Sequence, residues 1–560
     1  MVTIVTLAKW IFVTTSFCAL TLNAATRAET VQAETVVRVT GGLIRGAEQS
    51  PPARGVVFKG IPFARPPIGN LRWREPQPVV GWEGTRDATH YGPACIQNPL
   101  GTGVFLAPLA KLYGHDFPLR KIDMSEDCLY LNVWTAEWPA KHAAPVMLWI
   151  HGGSNVMGSG AESSYDGATL AAKGVVVVTI NYRLGIFGSF SHPQLTEESQ
   201  HHASGNQGML DQIAALQWVR DNIAQFGGDP GRVTVFGESA GSIDAGMLLC
   251  SPLASGLMQR VIMESGPVLL NHHPAALAKG EQYGEQLALS IGVNGNQAIE
   301  KLRALPTETV IEKSGAIAKT AANPGFVLDG YFLREAPGDL FAQGRELPVT
   351  FIIGNNGREI SAFRANAGRG GGSVSSGLDD SAMQTVKIFY GRASSLVVAS
   401  FLVDNALRRT EAADSWLNDV IGTCPGMAMA SLHESHGRHA YFYLFDRQVP
   451  GRGQDSLGSF HSLEIPYVFG GLREPAWTWL PFDETDRKLS ETVQDYWINF
   501  AKTGNPNGAT LPEWREFDSR DQDAMEFGKG GAVGLQKRSK PTYCDLDADV
   551  LKARLTSTAR

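Results

Sequence analysis

One serine in this chain stands where a nucleophile can stand: Ser239, in Gly237-Glu238-Ser239-Ala240-Gly241. A serine hydroxyl is a weak attacker at neutral pH, so the acyl-transfer chemistry it could carry requires a base to take its proton and an acid to orient that base. The motif follows directly on the apolar run 233–236, and residues 242–249 can continue as a helix. A sharp strand-to-helix turn holds its serine in strained backbone geometry, and a glycine on each side removes the Cβ atoms that would clash there. The turn also sets Ser239 at a helix N-terminus, where unpaired N–H groups favour a developing anion. A serine that merely caps the helix is the lesser reading in that context.

For a nucleophile on such a turn the partners follow along the chain as an Asp or Glu and then a His. His461 lies in Gly458-Ser459-Phe460-His461-Ser462-Leu463-Glu464-Ile465-Pro466, a loop after the strand-like run 441–445. Loops at strand ends are where such a base belongs. Glu359 follows the run 349–353 within Gly354-Asn355-Asn356-Gly357-Arg358-Glu359. From position alone Glu359 is as readily a surface carboxylate paired with Arg358, and Asp329 and Glu335 upstream are the substitute acids. The tetrahedral intermediate needs backbone donors aimed at its oxyanion. His151-Gly152-Gly153-Ser154, directly after a run ending at Ile150, is suited to supply them, with Gly153 and Ser154 donating beside Ala240.

The elements that must position these residues are legible as a pattern. Apolar runs at 146–150, 175–180, 233–236, 261–263, 349–353 and 441–445 have the length and continuity of parallel strands buried on both faces. Between the second and third, Met209, Leu210, Ile213, Leu216, Val219 and Ile223 fall on one helical face. Repeated strand, helix, strand units predict an α/β fold, with a mostly parallel sheet flanked by helices. Residues 36–135 alternate like strands and carry turn residues, which predicts an antiparallel lead-in. The Gly/Ser-rich stretch 368–377 reads as a mobile loop rather than a domain boundary, since strand and helix patterns resume after it.

Composition bounds the rest. With 560 residues, 43% hydrophobic, 19% charged and a net charge of −7, the chain is an ordinary globular protein whose charge gives no basic excess for nucleic acid. Lys9 precedes an apolar run over 10–22 and the small residues Ala24, Ala25 and Ala28, the pattern of a signal peptide of about 28 residues cleaved somewhere in 24–33. The run is short for a membrane span, which needs roughly 20 apolar residues. The expectation is a secreted or periplasmic protein whose residues 29–560 form one domain, with no stable membrane span. Cys18 leaves with the leader, so five of the six cysteines remain. In an oxidising compartment Cys95 could pair with Cys128 and Cys424 with Cys544, leaving Cys250 as a buried free thiol beside Met247-Leu248-Leu249.

These residues resemble the type-B carboxylesterase/lipase family across nearly the whole mature chain. The resemblance rests on Phe58-Lys59-Gly60-Ile61-Pro62-Phe63-Ala64, Ser125-Glu126-Asp127-Cys128-Leu129-Tyr130-Leu131-Asn132-Val133, Asn181-Tyr182-Arg183, Gly205-Asn206-Gln207-Gly208, the serine turn, and residues 461–470. It implies an α/β-hydrolase fold and a Ser239–His461–Glu359 triad. It further implies an oxyanion hole of Gly153, Ser154 and Ala240, disulfides Cys95–Cys128 and Cys424–Cys544, an Arg72–Glu126 salt bridge, and a buried acidic neighbour in Glu238. The chain departs from the family at Ser154, where a third glycine is usual, and at Arg358-Glu359-Ile360, where an acidic residue, Glu and Gly are common. It also lacks a tryptophan between Cys95 and Cys128, the signature of a choline site.

Together the residues predict hydrolysis of small carboxylic esters through an acyl-enzyme, without metal or cofactor. Amide hydrolysis uses the same groups and would be separated by matched ester and amide substrates. A silent adhesion relative is the contrasting class, disfavoured because Ser239, His461 and Glu359 are all present. His433, His436 and His439 are closely spaced, but their spacing spreads them around a helix rather than onto one metal. Arg358, Arg364 and Arg369, near the acid loop, raise the thought of carboxylated or toxin esters, against the plainer reading of a solvated basic surface. Oligomeric state is not legible.

Overall fold

A computed structural model describes residues 35–51, 53–271, 274–317, 323–366, 394–395, 398–399, 413–537 and 544. The expected leader, the stretch 368–377 and Arg369 lie outside the described residues. Eleven strands form one sheet among them: β1 (Ala47–Glu48), β2 (Val56–Pro62), β3 (Tyr130–Thr135), β4 (Ala144–Ile150), β5 (Val176–Ile180), β6 (Gly228–Glu238), β7 (Arg260–Glu264), β8 (Thr350–Asn356), β9 (Ala440–Phe445), β10 (Ala524–Phe527) and β11 (Val533–Gln536). Their spatial order is β1-β2-β3-β5-β4-β6-β7-β8-β9-β10-β11. Strands β5 through β10 pair in parallel, six of them on the apolar runs and the seventh, β10, on a short segment that Glu526 interrupts, while β1-β2-β3-β5 and β10-β11 are antiparallel. All seven residues of β4 except Ala144, and all five of β5, are buried.

The helices that matter here are α1 (Gly103–Leu112), α2 (Gln207–Asn222), α3 (Ala240–Leu249), α4 (Glu359–Asn366), α5 (Cys424–Ser435) and α6 (Glu484–Thr503). Two apolar cores line the two faces of the sheet's central strands: Leu148, Val235 and Met263 belong to one, and Met147, Phe236 and Ile262 to the other. That alternation is the period of two expected of strands with both faces covered. Helix α1 is a departure from the strand-rich lead-in. Its Leu106, Leu109 and Ala110 are buried, so a helical segment interrupts the antiparallel region and supplies a wall of the cavity described below.

Strand β4 lies between β5 and β6, so the chain runs outward from β4 to β5 and then returns across it to β6. Such a reversal opens a crevice beyond the carboxyl ends of β4 and β6, the place where open α/β sheets bind ligands. The Asn181-Tyr182-Arg183 and Gly205-Asn206-Gln207-Gly208 motifs brace that crevice from behind. Tyr182 donates from its hydroxyl to the His151 carbonyl at 2.8 Å and stacks on the His151 ring. Arg183 makes a buried bidentate pair with Asp211 on α2 at 2.7 and 2.8 Å. Gln207 donates to the carbonyls of Trp73 and Phe190. Arg72 binds Glu126 at 2.5 and 2.7 Å and donates to three carbonyls of 302–305. Cys95 is bonded to Cys128 and Cys424 to Cys544, with Cα separations of 5.0 and 4.6 Å, and Cys250 is a buried free thiol.

Candidate active site

Strand β6 ends at Glu238 and α3 begins at Ala240, so Ser239 alone makes the turn between them, at φ 56° and ψ −121°. Positive φ at a non-glycine residue costs of order 1–3 kcal/mol and persists only where the surroundings enforce it. Here the Ser239 N–H donates to the Glu264 carbonyl of β7 at 2.8 Å, and the flanking glycines admit close approach of backbone. A Cβ on Gly241 would come within 2.0 Å of the Ile150 carbonyl oxygen, and one on Gly237 within 2.6 Å of the Gly241 carbonyl oxygen. No side chain fits at either position.

The Ser239 hydroxyl lies 2.9 Å from His461 Nε2, and His461 Nδ1 lies 2.5 Å from Glu359 Oε2. A proton on Nδ1 shared with Glu359 leaves Nε2 free to accept from the serine. Glu359 opens α4, and its other oxygen, Oε1, accepts the Asn356 backbone N–H at 2.6 Å. Its own N–H donates to Asn418 Oδ1 at 2.6 Å. The loop carrying His461 is stitched to the same strand end: Arg358 N–H donates to the Ser459 carbonyl, and Asn356 Nδ2 to that of Phe460 at 2.8 Å. Rings of Phe363 and Phe105 pack against the imidazole, with centroids 4.9 and 6.2 Å away.

Electrostatics around His461 are those of a cation site. Burial disfavours charge on the imidazole, but Glu238 and Glu359 outweigh it and push its pKa up to about 9. Glu238 Oε1 stands 3.2 Å from Nε2 and accepts from the Ser462 hydroxyl at 2.7 Å. Behind it, burial pushes Glu464 up to about 8 and Glu264 well above the carboxylate range, each raised further by neighbouring carboxylates. Protons on that pair keep the buried acids from accumulating full charge beneath the site. Glu464 accepts from Ser265 at 2.8 Å and from Asn356 Nδ2, and Glu264 from Trp497 Nε1 at 2.8 Å.

Beside the serine, Gly153 and Ser154 adopt φ 101° and 57°, and among the described residues no hydrogen bond takes up their N–H groups. A Cβ on Gly153 would meet the Met157 carbonyl oxygen at 2.2 Å, so the loop admits only glycine there. Asn155 anchors the loop from below: its Nδ2 donates to Asp244 Oδ1 on α3 at 3.0 Å, and its carbonyl accepts from Gly185 N–H. Ala240, first residue of α3, presents its N–H at a helix N-terminus. A cavity of about 610 Å³ opens over these groups, lined by Gly153, Ser154, Ser239, His461, Phe105, Leu106, Met157, Phe363, Ile465, Trp477 and Glu162, among others.

The other expected residues fall elsewhere. Asp329 accepts the N–H groups of Tyr331 and Leu333, and Glu335 pairs with Arg345, neither touching His461. Arg358 donates to the Asp455 carbonyl rather than to Glu359, and among the described residues no arginine lines the cavity. His433 bonds Glu346 and His439 bonds Glu516, so the closely spaced histidines point to different partners. No group of metal-ligating side chains occurs among the described residues.

Comparison with known proteins decides the kinship of this arrangement. The model of the carboxylesterase family matches residues 33–546. The chain belongs to the carboxylesterase family. It is therefore a carboxylic ester hydrolase of the α/β-hydrolase fold, acting on small-molecule esters. A medium-chain fatty acyl-CoA hydrolase precursor of Anas platyrhynchos is 36% identical over 526 residues, covering 89% of each chain. A fumonisin B1 esterase of Sphingopyxis macrogoltabida is 35% identical over 494 residues, covering 85% of this chain and 84% of its own. Among solved structures, a carboxylesterase of Geobacillus stearothermophilus superposes with a TM-score of 0.72 at 30% identity, covering 90% of this chain and 98% of its own. Among its described residues this carboxylesterase has two disulfides, which fit an exported protein, and no helix long and apolar enough to cross a membrane.

Proposed function

We propose that the ester hydrolysis runs through an acyl-enzyme on Ser239. His461 takes the serine proton as the hydroxyl attacks the ester carbonyl, and later returns it to the leaving alcohol. Glu359 holds Nδ1–H so that Nε2 faces the serine, and its charge stabilises the imidazolium that forms. Glu238, beside Nε2, adds to that stabilisation. The N–H groups of Gly153, Ser154 and Ala240 receive the oxyanion, each worth about 2.7–4 kcal/mol on the precedent of single-donor losses. Water then enters by the same route in reverse and releases the acid. The single observation that carries this reading is the unbroken hydrogen-bond chain from Ser239 Oγ through both imidazole nitrogens to Glu359.

The same reading extends to the chain's processing. Residues 1–28 act as an export leader, cleaved within 24–33, and 29–560 function as one catalytic domain in an oxidising compartment, secreted or periplasmic.

The test is pre-steady-state turnover of a p-nitrophenyl ester. It should show a burst of p-nitrophenol approaching one equivalent per enzyme, followed by slower deacylation. His461 works only when neutral, and its pKa is raised to about 9, so the burst rate should climb with pH until that value rather than levelling near 6.5. Glu238→Gln removes the charge nearest Nε2 and should move this acid limb to lower pH. A profile already flat above pH 7 in wild type would mean that Glu238 and Glu359 do not hold the imidazole's pKa up, and the absence of a burst although acylation precedes a slower step would contradict the scheme.

A further inference from the structure

Most of the cavity wall around Ser239 is apolar, yet it carries a carboxylic acid that the relay does not use. Glu162 lies on the segment following the oxyanion loop, part-exposed as a residue, and lines the cavity with Phe105, Leu106, Met157 and Trp477. Its Oε2 accepts from the Thr102 hydroxyl at 2.7 Å, at the entry to α1. Enclosure pushes its carboxyl up to about 7, and Thr102 and the Ser159 amide pull it only part of the way back. No cation among the described residues pairs with it. Beyond the Thr102 hydroxyl and the Ser159 amide, a group that enters the cavity can supply its carboxyl with a further partner.

We propose that Glu162, steadied by Thr102, is a recognition subsite for a hydrogen-bond donor, a hydroxyl or an ammonium group, carried by the ester substrate at a distance from its reacting carbonyl. The inference rests on the acyl-enzyme reading above and names the substrate class of that site. A methyl group delivered to Glu162 strands a desolvated carboxyl, whereas a donor satisfies it, and sites of that kind discriminate strongly against analogues lacking the polar group. An ammonium adds charge to the hydrogen bond in a largely apolar cavity, and charge-assisted bonds are the stronger ones.

Two matched series separate the cases. On the alcohol side they are heptyl, ω-hydroxyhexyl and ω-ammoniohexyl butanoate; on the acyl side they are ethyl heptanoate and the ω-hydroxy and ω-ammonio hexanoates. Turnover of the methyl-ended esters by wild type reports the esterase scheme alone, and the ratio of donor-ended to methyl-ended kcat/KM reports the subsite. In one series wild type should favour a donor by roughly 10- to 100-fold. Glu162→Leu should bring that ratio near one. Glu162→Gln, which keeps an acceptor but loses the charge, should abolish an ammonium preference and retain part of a hydroxyl preference, which tells the two donors apart. If Glu162 only fastens α1 through Thr102, its replacement scales every ester alike and leaves the ratio at its wild-type value. That result in either variant, or wild-type ratios of one or less in both series, overturns the proposal.

Discussion

Ser239→Ala should lower kcat toward carboxylic esters by about 10⁴–10⁶ and leave the protein folded. The size follows from the division of labour at the site. Without the hydroxyl no acyl-enzyme forms, and what remains is the contribution of the oxyanion donors and of substrate positioning. The fold should survive because the serine side chain spends its hydrogen bond on His461, while the strained turn is enforced by backbone: Ser239 N–H to Glu264, and Gly237 and Gly241 pressed against the ends of neighbouring strands. Alanine meets the same φ with a Cβ already accommodated. The check is a steady-state ester assay alongside a thermal melt. A loss below about a hundredfold, with the melt unchanged, would move the nucleophile elsewhere.

The second large effect is expected from Glu359→Gln, and here the structure says why an isostere should fail. Glu359 Oε1 accepts from Asn356 N–H, so a glutamine must keep its carbonyl oxygen on that side and turn its amide group toward His461 Nδ1. Two donors would then meet. The imidazole relieves this by moving its proton to Nε2, which can no longer accept from Ser239. A wrong tautomer of this kind costs about 10⁴ in kcat where it has been measured in a serine triad. Glu238 is no substitute, since it faces Nε2 rather than Nδ1. Near-wild-type turnover of Glu359→Gln would mean that another acid orients the base, and the candidates Asp329 and Glu335 are engaged with Leu333 and Arg345 instead.

What the sequence made legible was what local rules control. The apolar runs marked six of the seven parallel strands to within a few residues and missed the short β10, Ala524–Phe527, which Glu526 interrupts; β6 extends from Gly228 through Glu238, beyond the four apolar positions that betray it. The turn around Ser239 is local too, because glycine spacing and strand-helix context are both written in a dozen consecutive residues. Positions of His461 and Glu359 beside it depend on chain segments 102 and 222 residues apart, which no periodicity encodes; loop placement after a strand narrowed them, and family resemblance supplied the pairing.

The supporting residues were harder still. Asn356 and Asn418, which hold Glu359, look like ordinary loop and helix polar residues, and Asp211 and Gln212 look like the wet side of α2, yet both are wholly buried because they tie α2 to Arg183 and Asp244. Helix α1 lay hidden in the lead-in, where a proline at position 108 and turn residues argue against a helix. Burial of polar side chains against distant partners is a tertiary fact, and single-sequence patterns carry little of it.

The central claim is that one hydroxyl becomes the attacking group, and covalent trapping tests it most directly. After brief treatment with an activated alkyl phosphonate, intact-mass and peptide mass spectrometry should find one adduct per chain, on the peptide that bears Ser239, with labelling largely lost in His461→Ala. An active enzyme whose inactivation tracks an adduct on a different residue, with Ser239 unmodified, would contradict the account.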